Sequence, residues 1–579
     1  MTVSVSATAS DRLGDLAERY WEHRLTTSPL FATFLGDHRF DDRADNLSEA
    51  AEADQRAHLV AFLHEARALD PDDLEASVLD DGDRTTLDLL VGELEESIVA
   101  LDARLVELMS DQMQGVHADL LTMAGQLSVP SAELAPAALT RIGALATMLD
   151  QATTRFRAGL DRGRTPARIN VERSLNQLDG YLASPLDTDP FATIAAPTQQ
   201  QDGWDGEAAW RAAMTDAVAA VLRPAFARYR AVLADDLLPV ARPDDRAGLQ
   251  WIPGGPDLYR TLIRIHTGLD LTAEELHRIG LEEVTEVLPA RYREIGRRAF
   301  GTEDLAEIFH RLLEDPDLRY RDGEEILAHA RQCLADATAA MGDWFGILPQ
   351  APCELTPVPE YLAADAPAAY YTPPAPDGSR PGEYHVNLHD PTSKGRAETA
   401  SIAFHEAIPG HHLQLAIAAE RTGLPAFRRL SWGHTALVEG WALYTERLAD
   451  EMGLYRSDLD RLGMLASDSW RACRLVVDTG LHALGWSRQQ AIDFMVAHAP
   501  VSRDEIETEV DRYIGMPGQA LAYKVGQREI LRLRADAEAR LGARFSLPAF
   551  HDVVLGGATV SLPVLARRVE AWVQAELSG

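Results

Sequence analysis

Residues 401–450 read SIAFHEAIPGHHLQLAIAAERTGLPAFRRLSWGHTALVEGWALYTERLAD. Two apolar, helix-like runs flank a turn, and each carries ligand-type side chains. The first holds His405, Glu406, His411 and His412; the second holds Glu439. A hydrophobic core has no need of so many imidazoles and carboxylates. In the zinc-hydrolase pattern H-E-x-x-H, two histidines lie at i and i+4 on one helix face, and the intervening glutamate activates water. Here the pattern is H-E-x-x-P-G-H-H. On a regular helix rising ~1.5 Å per residue, His411 would sit ~9 Å along the axis from His405 and on the wrong side. His412 would return to the right side, but ~10.5 Å away. Zinc–nitrogen bonds of roughly 2.0–2.1 Å do not span such a gap, so the helix has to deform. Pro409 has no N–H to offer the carbonyl of His405 and crowds it, and Gly410 adopts backbone angles closed to other residues. With Pro409-Gly410 bulged out as a two-residue insertion, His411 takes the place of the i+4 ligand; His412 is the alternative. Glu439, a carboxylate in an otherwise apolar run, completes three protein ligands. That is the catalytic zinc count, which leaves a position open. Glu446 is placed to hold a ligating histidine from behind, and His434 reads as a core or supporting histidine.

Outward from this stretch the chain reads as mainly α. LGDLAERYWEHRL, AEADQRAHLVAFLHEARAL and RTTLDLLVGELEESIVALDARLVELM repeat apolar residues at three and four, as amphipathic helices require. Residues 1–10 form a small, polar lead, and 185–207 a Pro- and Gly-rich surface loop. Helical patterns cover 136–185 and 205–237. Thr272 and Glu275 make a capping box for the next helix, and helices continue to about Trp344. The Pro-rich stretch 348–393 excludes a central strand across its prolines. GEYHVNL alternates, though, and forms one short strand, either closing a small sheet or lining the cleft as an edge against which a peptide could pair. The expected architecture is a large helical protein. Its zinc site lies on two adjacent helices beside a small β-sheet, with residues 1–245 as a helical scaffold or lid and 246–579 as the catalytic region. Further along, Arg474, Asp478 and His482 fall four apart on one helix face, a polar stripe that either satisfies itself in the core or faces the cleft. Pro517-Gly518-Gln519 opens a helix bearing Tyr523 and Lys524.

Bulk properties exclude several classes. With 90 acidic against 55 basic residues, the net charge of −35 repels nucleic-acid phosphates and anionic membrane surfaces. Only Lys394 and Lys524 among the basic residues are lysines. No apolar run approaches the ~18 residues of a membrane span, and the N-terminus lacks the basic and apolar regions of a signal peptide. Three widely spaced cysteines, Cys333, Cys353 and Cys473, make neither a disulfide framework nor a metal knuckle and suit a reducing cytoplasm.

HEAIPGHHLQ and EGWALYTE resemble the bacterial family catalogued as domain of unknown function 885, itself similar to the gluzincin metallopeptidases, which hold zinc with two histidines and a downstream glutamate. The resemblance extends over PGGPDLYRTLIRIHTGLDLTAEELHRIGLEEV (253–284), DGSRPGEYHVNL (377–388), RACRLVVDTGLHALGWS (471–487), MPGQALAYKVGQREILRLR (516–534) and FHDVVLGGATVSLPVLARRV (550–569). It implies His405, His411 or His412, and Glu439 on Zn2+, with Glu406 as general base. Related zinc peptidases stabilise the developing oxyanion with a Tyr or His, which makes Tyr523 and His482 the candidates here. The expected activity is hydrolysis of short peptides or small amides. The alternatives are a catalytically inactive helical scaffold and a hydrolase of non-peptide amides or esters.

Overall fold

The computed structural model describes residues 8–74, 82–125, 127–194, 204–363, 366–375, 378, 380–431 and 433–578. Most of the polar lead at 1–10 and the middle of the loop at 185–207 lie outside these residues. Helices dominate the rest, beginning with α1 (Ala9–Thr27), α2 (Glu49–Arg67), α3 (Asp83–Asp102) and α4 (Ala135–Asp161). The capping box at Thr272 forms: its hydroxyl accepts from the Glu275 N–H at 3.2 Å, and the Glu275 carboxylate accepts from the Thr272 N–H at 2.9 Å. It starts α5 (Ala273–Glu282), which packs on a long central helix described below.

The apolar faces close into two cores. One gathers α4 with residues 116–124 and 168–241 around Phe156, Phe226 and Tyr229. The other unites α1, α2 and α3 with residues 247–573, so the N-terminal helices bury against the same core as the candidate site. Between them, α6 (Gly323–Trp344) leads into a small sheet of β1 (Cys353–Pro357), β2 (Ala369–Thr372) and β3 (Gly382–Val386). The strand order is β1-β3-β2, with β1 parallel and β2 antiparallel to β3. The GEYHVNL segment therefore supplies the central strand. The edge-strand reading fails because β3 pairs on both sides, its proline-free backbone keeping every donor. The edges fall to β1 and β2.

Beyond the sheet come α7 (Thr399–Glu406), α8 (His411–Glu420), α9 (Thr435–Glu451), α10 (Asp458–His482), α11 (Arg503–Gly515) and α12 (Ala522–Leu541). The most intimate contact is α9 against α12, and glycines permit it. A Cβ on Gly526 would lie 1.8 Å from the Ala436 carbonyl oxygen, and one on Gly440 would lie 2.4 Å from the Gly526 carbonyl carbon. Backbone thus touches backbone one residue from Glu439 and three from Tyr523. The long helix α10 packs against α5, α7 and α9 and is almost wholly buried along its last four turns. No described helix is long and apolar enough to cross a membrane.

Candidate metal centre

His405 and Glu406 end α7, and the helix stops there. Ala407 leaves helical geometry at φ −102°, ψ −103°, residues 407–410 form a turn with a cis Ile408–Pro409 bond, and α8 restarts at His411. The deformation called for by the histidine spacing is therefore a full break rather than a bulge within one helix. Gly410 is needed at its foot, since a Cβ there would lie 1.9 Å from the His405 carbonyl oxygen. The His412 N–H spans the break to the Ala407 carbonyl at 3.0 Å. The indole of Trp441, on α9, donates to the Pro409 carbonyl at 2.9 Å and ties the turn to the helix that carries Glu439.

The break brings the rings of His405 and His411 to 4.9 Å between centroids, perpendicular at 88°. Glu439 Oε2 lies 3.6 Å from His405 Nε2 and 3.5 Å from His411 Nε2. The three ligand atoms fall within 4.8 Å of one another. These separations exceed good hydrogen bonds, whereas tetrahedral bonds of roughly 2.0–2.1 Å place ligand atoms about 3.3 Å apart. Glu439 Oε2 is buried and without a hydrogen-bond partner. An oxygen-and-imidazole set with an orphaned buried carboxylate oxygen at its centre fits a divalent ion such as zinc.

Electrostatics agree with the geometry. Burial opposes charge on His405, yet Glu439 and Glu446 overcome it and raise the imidazole to about 9. Burial likewise works to raise Glu439, but the two imidazoles hold it well below the usual carboxylate range. Glu446, 1% exposed, accepts from His405 Nδ1–H at 2.8 Å. That leaves the Nε2 lone pair aimed at the group. Glu406 interacts electrostatically with both histidines and Glu439, and burial raises its carboxyl.

The remaining candidates separate. His412 is occupied at both ring nitrogens, by the Tyr371 hydroxyl at 2.9 Å and the Ala351 carbonyl at 3.1 Å, and belongs to the wall. His434 immediately precedes α9 without a side-chain capping bond, is pushed down to about 4 by burial, and lies outside the ligand group. Tyr523 stacks on His405 at 6.4 Å between centroids. His482 is fully buried; its Nδ1 accepts from the Leu249 N–H at 3.1 Å and its Nε2 donates to the Tyr513 carbonyl at 3.0 Å. Neither nitrogen is left for a substrate, so the stripe satisfies itself at this position. Asp478 does the same through the Tyr259 hydroxyl and the Gly518 N–H. Lys524 is fully buried and donates to Asp468 at 2.5 Å, with Glu283 at 3.3 Å. Arg471 lies one turn before Arg474 on α10.

Residues 29–569 match the family described as bacterial protein of unknown function, DUF885. A crystal structure from Colwellia psychrerythraea, provisionally described as a lipoprotein, superposes with a TM-score of 0.90 at 27% identity, covering 98% of this chain and 100% of that one. A solved structure from Shewanella oneidensis, described as a provisional lipoprotein of unknown function, has a TM-score of 0.74 at 18% identity, covering 97% of this chain and 99% of that one; it is similar in fold. No curated protein matches the chain.

Proposed function

The chain belongs to the bacterial DUF885 family of unknown function, and within it we propose a zinc-dependent hydrolase of the gluzincin kind that cleaves short peptides. The observation that carries this reading is the convergence of His405, His411 and Glu439 within 4.8 Å, with Glu406 next in sequence to one ligand. Those three residues would hold the ion. Bound there, zinc supplies Lewis acidity, polarising a scissile carbonyl and acidifying water.

The chain's own residues do the rest. Glu406 takes a proton from the attacking water as its oxygen adds to the carbonyl carbon, and delivers that proton to the amine as the C–N bond breaks. Burial, which raises its carboxyl, suits it to both halves of that transfer. The Tyr523 hydroxyl, kept protonated by burial, donates to the oxyanion. Glu446 orients His405, and Trp441 anchors the turn that delivers His411. The free cysteines favour a reducing cytoplasm, whereas the provisional lipoprotein description of the Colwellia protein points elsewhere; fractionation of the native cells decides.

The test is Glu406→Gln. It is expected to keep its zinc and lose peptide hydrolysis. Full turnover in that variant would remove Glu406 as the base, and zinc-loaded wild type inert on every peptide would remove the hydrolase.

A further inference from the structure

Nearly every arginine near the site has a carboxylate partner; two on α10 keep donors in reserve. Arg474 is 4% exposed. Its Nε donates to the Tyr513 hydroxyl at 2.8 Å and one terminal nitrogen to Glu509 at 2.9 Å, while the other, Nη1, is buried without a partner. Glu509 is shared with Arg512, also at 2.9 Å, so one carboxylate answers two guanidiniums. Arg471 donates to the Ser467 hydroxyl at 2.8 Å. Its Nε is buried and unpartnered, and among the described residues no carboxylate comes within 4 Å of it. Leaving a buried donor unmade is costly, most of all for a charged group.

Both guanidiniums lie beside Tyr523 as well as Trp470. Arg474 Cζ lies 4.5 Å from the Tyr523 ring centroid and Arg471 Cζ 6.0 Å from it. His405 stacks on that ring too, at 6.4 Å between centroids. Arg471 also acts electrostatically on Glu406. It acts in the same way on Glu398 and Glu505, and burial raises both carboxyls.

We propose that Arg471 and Arg474 form the subsite for the free α-carboxylate of a peptide substrate, which makes this site a carboxypeptidase. The inference rests on the hydrolase reading above and adds the substrate class to it. The span agrees. Arg474 Cζ is no more than about 11 Å from the His405 ring centroid by way of Tyr523. One or two extended residues of roughly 3.3–3.6 Å each cover that distance once the contacts at either end are included. Cleavage would then release the last one or two residues. A planar guanidinium pair also suits a carboxylate better than a point charge would.

The test uses the zinc-loaded Glu406→Gln protein, so that binding is read without turnover. A set of tripeptides is titrated as free acids and as matched C-terminal amides. The free acids are expected to bind about 10- to 100-fold more tightly, as a charge-assisted contact provides. Arg471→Gln in the same background should remove most of that ratio, and Arg471→Lys should restore part of it. Equal binding of acid and amide, binding of neither, or a ratio untouched by Arg471→Gln would overturn the subsite. Turnover is scored separately on wild type. Cleavage of acids and amides at equal rates refutes the subsite and spares the hydrolase, while cleavage of neither, with the acid preference intact in binding, refutes the hydrolase and spares the carboxylate contact.

Discussion

Replacing Glu446 by glutamine separates the charge behind His405 from the geometry it imposes. The amide oxygen can still accept from Nδ1–H, which the carboxylate does now at 2.8 Å, so the ring keeps its direction. What is lost is a buried negative charge. Removing such a support typically weakens metal binding 10- to 100-fold, or ~1.4–2.7 kcal/mol. A second effect runs the other way. Below about 9, where His405 titrates without metal, the ion must displace a proton, and affinity falls by up to tenfold per pH unit. At pH 7 that amounts to ~2.7 kcal/mol. Glu446 is one of three carboxylates, with Glu439 and Glu406, that raise His405, so the variant titrates lower and meets less competition. The deficit of Glu446→Gln should therefore be largest near pH 8.5 and shrink towards pH 6.5. Competition against a chelator of known affinity across that range measures it. A deficit that grows on acidification, or no deficit at pH 8.5, would refute the assignment of Glu446 as the group behind a ligating imidazole.

Gly526→Ala should separate α9 from α12, since its Cβ would begin 1.8 Å from the Ala436 carbonyl. We expect a loss of about 1–3 kcal/mol from overpacking, read by denaturant unfolding, together with weakened zinc retention; unchanged values in both would contradict the close crossing. Burial pushes His482 down to about 4, below its ordinary value of about 6.5, so the unfolded chain takes the proton first. Its contribution is therefore whole above about 6.5 and lost as pH falls to about 4. The stability advantage of wild type over His482→Gln should shrink by on the order of 3 kcal/mol between pH 7 and pH 4, and a gap constant with pH would show a histidine open to solvent.

How far the sequence could be read depended on how local the cause was. Pro409 and Gly410 announce a broken helix by their own chemistry, and the distance constraint between His405 and a second imidazole then calls for a fold-back. The fold-back is a restart of the helix, because Ala407 also departs from helical angles, and nothing in an alanine signals that. The choice of His411 over His412 turns on Tyr371 and Ala351, which take both nitrogens of His412 from positions 41 and 61 residues away. The Thr272 capping box was legible because it is complete within four residues. Strands β1 and β2 were missed: they are short, lie among prolines and exist only by pairing with β3. The stripe on α10 was visible as a spacing, but its fate was not. His482 and Asp478 find backbone and hydroxyl partners far along the chain, while Arg474 keeps a donor free. Periodicity reports which face a residue is on, and only tertiary packing reports what that face meets.

The most direct measurement is anomalous X-ray scattering at the zinc edge from crystals of the wild-type protein grown with zinc. One strong peak is expected at roughly 2.0–2.2 Å from His405 Nε2, His411 Nε2 and the Glu439 carboxylate. A peak bonded to other residues, or none where these three side chains converge, would contradict the proposed zinc site.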